Sequence, residues 1–347
     1  MSSWLGQEGF YSVEGMPHLS KIIRKPKGVG CELKSLADSA TKIMLRLEIM
    51  EGKERMALLR YALRTNANTH PTAPNIAQYN ADVAANDVYK ATTAQTLRLV
   101  EPWFGTGRTA VGDSYFASVE TLLALAKHGL YFMGIVKTAH REYPMKHLKN
   151  WYAVGNAANP PLVRGSHKVL LSTYVAPDGS NHSMIACGWA ERKTLKTIVS
   201  NRGTTDQGTP SIRTRHRVAQ GIDNVLFTQR YSISVPRPKV IEMLFDSFAA
   251  VDIADHLRQG SLSMETSWLT KSWYVRVFAT VLGMIFTDCY LAYVMEFKNH
   301  HDGVTVGMQT YHSFLDKLAY QLIHNPFRPE PVVTRNNDAE VADEEVL

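Results

Sequence analysis

The chain has 347 residues, 45% of them hydrophobic, which is enough to bury a sizeable core in one large domain with an insertion or in two domains. Its formal charge of +6 understates its basicity. The stretch Arg335–Leu347 carries five acids (Asp338, Glu340, Asp343, Glu344, Glu345) against one arginine, which leaves +10 on the remainder, an excess suited to a polyanionic partner. Three widely spaced cysteines, Cys31, Cys187 and Cys289, build neither a disulfide framework nor a cysteine-rich zinc site, and they point to a reducing compartment.

The N-terminus lacks the charged and apolar regions of a signal peptide. The most apolar window, Val275 to Tyr293, is interrupted by Arg276 and Asp288. Its uncharged core is about half the ~20 residues that span a bilayer, so a buried helix in a soluble protein is expected.

In chain order, residues 1–20 carry weak signals and read as an N-terminal remnant. Lys21-Ile22-Ile23-Arg24-Lys25-Pro26-Lys27 packs four cations into seven residues. Arg24, Lys25 and Lys27 are candidate phosphate contacts there, and a solvated strand entry is an equally good reading. Val29 to Leu36 predicts a strand ending at Asp38, and Lys42 to Ile49 a second strand paired through a tight turn. An aspartate in such a place is by itself usually a turn former. The polar stretch 64–87 predicts a loop or surface insertion. Thr92 to Val100 predicts a helix.

Thr109-Ala110-Val111-Gly112 predicts a short strand with Asp113 at its tip. Ser114 to Ser118 follows as turn and helix cap, and Val119, Leu122, Leu123, Leu125 and Ala126 recur at helical spacing. Gly129 closes the helix, and Leu130 to Val136 reads as a buried strand. Strand tips in open α/β sheets are where ligands gather, so Asp113 is a candidate site residue. Residues 145–235 predict a β-rich insertion of short strands containing a basic cluster, Arg213, Arg215 and Arg217, suited to phosphate. A helix is predicted from Val240 to Leu257, with Asp252 and Asp255 on one face. Asp252 stands between Val251 and Ile253, where an unpaired carboxylate is costly, so either a buried salt bridge or a metal is implied. A second helical stretch follows from Ser267 to about Lys298, and 331–347 predicts an acidic, disordered tail.

Five blocks in register then resemble the piggyBac-type transposases and their domesticated derivatives, over roughly residues 20–297. They are Arg24 to Gly30 with Leu36-Ala37-Asp38-Ser39; Glu48 to Lys53; Gly112 to Ser118; Trp189 to Lys193 with Ile198-Val199-Ser200; and Val251 to Asp255 with the helices after it. The resemblance implies an α/β, RNase H-like core, a mixed sheet flanked by helices, in two parts, 21–144 and 236–330, around the 145–235 insertion. It places Asp38 and Asp113 on adjacent strands with the Asp252 helix packed across them, although 75 and 139 residues separate the three. The implied chemistry is in-line attack on a DNA phosphodiester at a two-metal site holding Mg²⁺ or Mn²⁺, the ions about 3.5–4 Å apart. Asp38 is implied as the bridging ligand, Asp113 and Asp252 as flanking ligands, and Asp255 as an auxiliary. No zinc is expected. The implied partners are DNA and a second copy of the chain, with no membrane and no small-molecule cofactor, and the implied location is nuclear, otherwise cytoplasmic.

Departures from the family pattern temper these implications. Ala249 and Ala250 stand where the family carries paired glycines; alanine there either only extends the helix or alters the approach to DNA. The family's N-terminal region and cysteine-rich zinc domain are not recognisable. Two readings stay open: a metal-dependent DNA strand-transfer core, truncated or domesticated, and a non-catalytic DNA-binding or interaction module of the same descent. Gly112-Asp113-Ser114-Tyr115 is also similar to the nucleophile block of GDS-type esterases. The partner aspartate and histidine three apart are missing, since Asp252 and His256 are four apart, and that reading is rejected.

Overall fold

The structure, a computed structural model, describes residues 2–3, 16, 18–22, 29–52, 56, 89–137, 142–175, 179, 181–191, 194–220, 226–260, 262–268, 270 and 272–325. The basic run with Arg24, Lys25 and Lys27, the 64–87 stretch and the acidic tail lie outside the described residues.

Short strands β1 (Ser2–Ser3), β2 (Ser20–Lys21) and β3 (Val29–Cys31) pair as β1-β3-β2. Strands β4 (Leu33–Ala37) and β5 (Met44–Ile49) form an antiparallel hairpin. Helix α1 (Ala91–Val100) is fastened to this hairpin by Arg98–Glu48 at 2.7 Å and by Gln95 donating to Glu48.

The main sheet has five strands in the order β6-β7-β10-β9-β8. They are β6 (Thr109–Gly112), β7 (Tyr131–Ile135), β8 (His167–Val175), β9 (Asn181–Ala190) and β10 (Leu195–Ser200). Only β6 and β7 run parallel, joined by α2 (Val119–Lys127), and the other pairs are antiparallel. The mixed α/β architecture expected from the sequence is therefore present.

Period-2 alternation splits the strand residues between two buried faces. Phe132, Val136, Ala186 and Val199 join Leu97, Leu122, Leu125 and Leu148 on one side, under α1, α2 and α3 (Met145–Ala157). Met133, Ile135, Cys187, Trp189 and Ile198 join Val240, Ile241 and Leu244 of α4 (Lys239–Phe248) on the other. Burial on both faces explains the near-continuous apolar runs in β7 and β9. Strands β8 to β10, within the stretch expected to form the insertion, join the same sheet as β6 and β7. What stands apart is a two-stranded ribbon, β11 (Ser211–Gln220) with β12 (Leu226–Val235).

The single helix expected over Val240–Leu257 is two. It breaks at Ala249 (φ −90°, ψ 4°) between α4 and α5 (Ala250–Arg258). Helix α4 packs on β6 and α5 on β4, so tertiary packing on two different sheets overrides alanine's helical preference. A short α6 (Met264–Ser267) leads to α7 (Trp273–His300), 28 residues long. By length and hydropathy α7 is sufficient to cross a membrane, and one third of its apolar window is buried. Both charges in the apolar run are engaged with the protein: Arg276 is buried, and Asp288 accepts the Met44 N–H at 2.9 Å.

The chain divides into compact units 1–296 and 297–347. In the second, α8 (Tyr311–Ile323) is capped by Thr310, whose side chain accepts from the Ser313 N–H.

Candidate active site

Each acid is delivered by local chemistry that the sequence dictates. Asp38 opens the turn between β4 and β5. Its Oδ2 accepts from Thr41 N at 2.7 Å, Thr41 Oγ1 at 2.9 Å and Ala40 N at 3.1 Å. These bonds, the Thr41 amide first, hold its carboxyl below the usual carboxylate range. The turn-forming role is therefore real, and it occupies one oxygen, leaving Oδ1 without a bond among the described residues.

Asp113 follows β6 directly. Its Oδ1 accepts the Tyr115 N–H at 2.9 Å, and its carbonyl accepts from Phe116 and Ala117. This tight turn ends at Ser118, which caps α2 by accepting from Thr121 N at 3.0 Å. Two glycines on the sheet make room for it. A Cβ on Gly134 would lie 2.7 Å from the Ala117 Cβ, and one on its register partner Gly112 would lie 3.1 Å from the Phe116 Cβ. Beside the turn, Tyr115 donates to Gln95 Oε1, and the Lys34 ammonium sits 3.4 Å from its ring centroid. Burial pushes the Tyr115 phenol up to about 12, so it stays a donor at neutral pH.

Helix α5 presents Asp252 and Asp255 differently. Asp252 is exposed and makes no hydrogen bond or ion pair among the described residues, so the salt bridge weighed for it from its apolar neighbours is not formed. That pairing falls to Asp255, whose Oδ1 takes Arg258 Nη2 at 3.1 Å and Nε at 3.3 Å. Arg258, 1% exposed, also donates from Nη1 to the buried Glu265. The residues behind this ion-pair cluster, Arg258 and Glu265, went unnoticed in the sequence. The (i, i+3) spacing of Asp255 and Arg258 was the available signal.

Asp38, Asp113, Asp252 and Asp255 all line one cavity of about 1060 Å³. The same cavity is lined by Lys34, Arg108, Lys137 and Lys196. The pairing of Ile135 with Ile198, continued by Val136 N to Thr197 O at 2.8 Å, puts Lys137 and Lys196 opposite one another. Neither has an acidic partner among the described residues. Two adjacent like charges are unfavourable unless an anion lies between them. They too were missed, each being a single lysine beside an apolar run.

What the structure does not do is gather the acids tightly. Among the described residues no three His, Cys, Asp or Glu groups lie close enough to hold one metal ion. The expected adjacency of the Asp38 and Asp113 strands is also not seen, since β4-β5 and the five-stranded sheet are separate sheets. The donor chemistry nevertheless suits a hard divalent cation: oxygen ligands, with Asp38 Oδ1 and the Asp252 carboxylate uncommitted, face a common space.

Residues 15–290 match the family model of the IS4-type transposases. The chain belongs to that family. Its fold is similar to that of the piggyBac transposase in a cryo-EM structure of the synaptic complex with hairpin DNA, with a TM-score of 0.52 and 14% identity. The match covers 91% of this chain and 52% of that one, so this transposase-family chain spans about half the length of that relative. No curated protein matches it. The piggyBac-type resemblance agrees with both matches, and the RNase H-like α/β core implied by the sequence fits the structural one.

Proposed function

We propose that this transposase-family chain is the catalytic core of a metal-dependent DNA strand-cleaving and strand-transferring enzyme. The observation that carries the reading is the meeting of Asp38, Asp113 and Asp252, drawn from three distant segments, on one cavity that Lys34, Arg108, Lys137 and Lys196 also line. Asp38 through Oδ1, Asp113 and Asp252 would hold divalent ions, Mg²⁺ or Mn²⁺. Two such ions, when bound, stabilise the attacking and leaving oxygens of an in-line displacement. Asp255 is a weaker ligand candidate, because Arg258 already occupies its Oδ1.

The remaining work belongs to the chain's own groups. Lys137 and Lys196 face the non-bridging oxygens of the scissile phosphodiester and relieve their own repulsion by doing so. The attacking oxygen of water, or of a 3′-hydroxyl, forms the new P–O bond as the bond to the leaving 3′-oxygen breaks. The proton lost by the nucleophile balances the one gained by that oxygen. A duplex is the natural substrate for a surface with this excess of positive charge. Homodimerisation and a nuclear location accompany this reading by resemblance.

The non-catalytic reading draws on a specific observation as well, the absence of a closed three-acid group among the described residues. One experiment separates the two. Supercoiled plasmid is incubated with the protein and Mn²⁺, and open circles are quantified for wild type and Asp113→Asn. Nicking that disappears in the variant supports the enzyme. Salt-dependent binding with no Asp113-dependent nicking supports the binding module and overturns the catalytic assignment.

A further inference from the structure

The β11–β12 ribbon is a feature that the acid cavity leaves unused. Ten residues pair with ten, from Ser211 with Val235 to Gln220 with Leu226, and neither strand pairs with any other among the described residues. Its strands hold four arginines, Arg213, Arg215, Arg217 and Arg230, and no aspartate or glutamate. Apolar side chains on it also stand in solvent, Ile212 at 66% and Val218 at 67% exposure. A two-stranded ribbon is marginal by itself in water, so one this long and bare gains by docking.

Register decides what it presents. Alternation puts Arg213, Arg215 and Arg217 on one face, and their cross-strand neighbours there are Ile233, Tyr231 and Gln229. Arg217 donates from Nε to Gln229 Oε1 at 3.0 Å, which orients both side chains. The Nε of Arg213 is buried with no partner, and Arg215 makes no hydrogen bond or ion pair among the described residues.

The dimensions fit one kind of partner. Ten residues at ~3.3 Å each span about 33 Å, close to one ~34 Å turn of B-DNA. Two strands ~4.8 Å apart, with side chains, fit the ~12 Å major groove, which admits a helix or a two-stranded ribbon.

We propose that the arginine face of the β11–β12 ribbon enters the major groove of duplex DNA and reads base edges, with Arg215 directed at a guanine. Arginine suits this because its planar, pre-organised fork pairs with guanine O6 and N7 together, a geometry the flexible lysine ammonium holds less rigidly. The proposal rests on DNA being the polymer in the proposed function, and it is independent of the acids and of cleavage.

The test uses the full chain in EDTA. A randomised duplex library is selected for binding, and anisotropy titrations at two salt concentrations then compare wild type, Arg215→Ala and Arg215→Lys on the selected and a scrambled duplex. A guanine-containing consensus is expected. Arg215→Ala should weaken the selected duplex about 5- to 150-fold and the scrambled one less than about twofold. Arg215→Lys should restore the difference only in part, and thermal unfolding of both variants at this half-exposed position should match wild type.

Equal loss on both duplexes, with the salt slope lowered by about one, would make Arg215 a phosphate contact and overturn the proposal. So would failure of any sequence to enrich, or tighter binding to the same sequence as single strand or RNA. Sequence-selective binding without nicking would remove the catalytic reading and leave the ribbon's role standing. Asp113-dependent nicking without a consensus would do the reverse.

Discussion

Replacing Arg258 with methionine tests the ion-pair cluster behind α5. The Arg258 guanidinium, 1% exposed, joins Asp255 to Glu265, whose side chains are 30% and 3% exposed. Methionine keeps most of the volume and removes the charge. Glu265 is then a buried carboxylate without its cation, and its Oε2 already lacks a hydrogen-bond partner. Breaking one side of such a pair costs about 3–5 kcal/mol, almost all of it from Glu265, because Asp255 reaches water. Removing Glu265 as well, in Arg258→Met with Glu265→Met, should recover most of that loss, since an apolar pair of similar volume is often neutral. The assay is urea unfolding of wild type, both single variants and the double variant, with a double-mutant cycle giving the coupling. A loss below about 1 kcal/mol for Arg258→Met would refute the reasoning. So would a double variant no more stable than Arg258→Met alone.

Two further outcomes are expected. Gly134→Ala drives a methyl to 2.7 Å from the Ala117 Cβ and 2.9 Å from the Phe132 ring. It should cost about 1–3 kcal/mol in urea unfolding, as overpacking does, and a neutral result would mean that the Asp113 turn does not rest on the sheet. Burial raises the Asp288 carboxyl above its ordinary value, and the Met44 amide only partly offsets this. The stability Asp288 supports is therefore full below the unfolded value near ~3.9 and is lost as pH rises through the folded one. Asp288→Asn keeps an acceptor for Met44 without the charge, so its stability relative to wild type should rise between pH 4 and pH 7. Equal urea midpoints relative to wild type at both pH values would count against this.

Local elements were readable in the sequence where one periodicity gave way to another. The switch from alternation at Thr109–Gly112 to helical spacing after Ser118 located β6, the Asp113 turn and α2, because each is set by neighbouring residues. Gly129 (φ +69°) ends α2 as anticipated, and a Cβ there would meet the Gly105 Cα at 2.9 Å. What escaped depends on contacts between distant segments. Ala249 breaks a helix that its own composition favours, because α4 and α5 pack on different sheets. Strands β8 to β10 read as a separate unit because antiparallel pairing with β7 leaves no mark on local sequence. The site is similar in this respect. Three aspartates could be picked out by resemblance, while Arg258, Lys137 and Lys196 acquire meaning only from what folding puts beside them.

Among the described residues β6 has one strand neighbour, β7, so its other side is an open edge that ends at Asp113, while Asp38 belongs to a separate hairpin. Under the proposed function, an ion shared by these two acids must also hold the hairpin against that edge. The measured affinity is then the intrinsic affinity multiplied by the fraction of molecules already docked. A chain one-tenth docked would bind its ions about tenfold more weakly than its ligands alone dictate. Linking the hairpin to β6 by an engineered crosslink would then tighten ion binding while leaving every ligand unchanged. Under that reading, metal affinity would be a property of how two sheets meet.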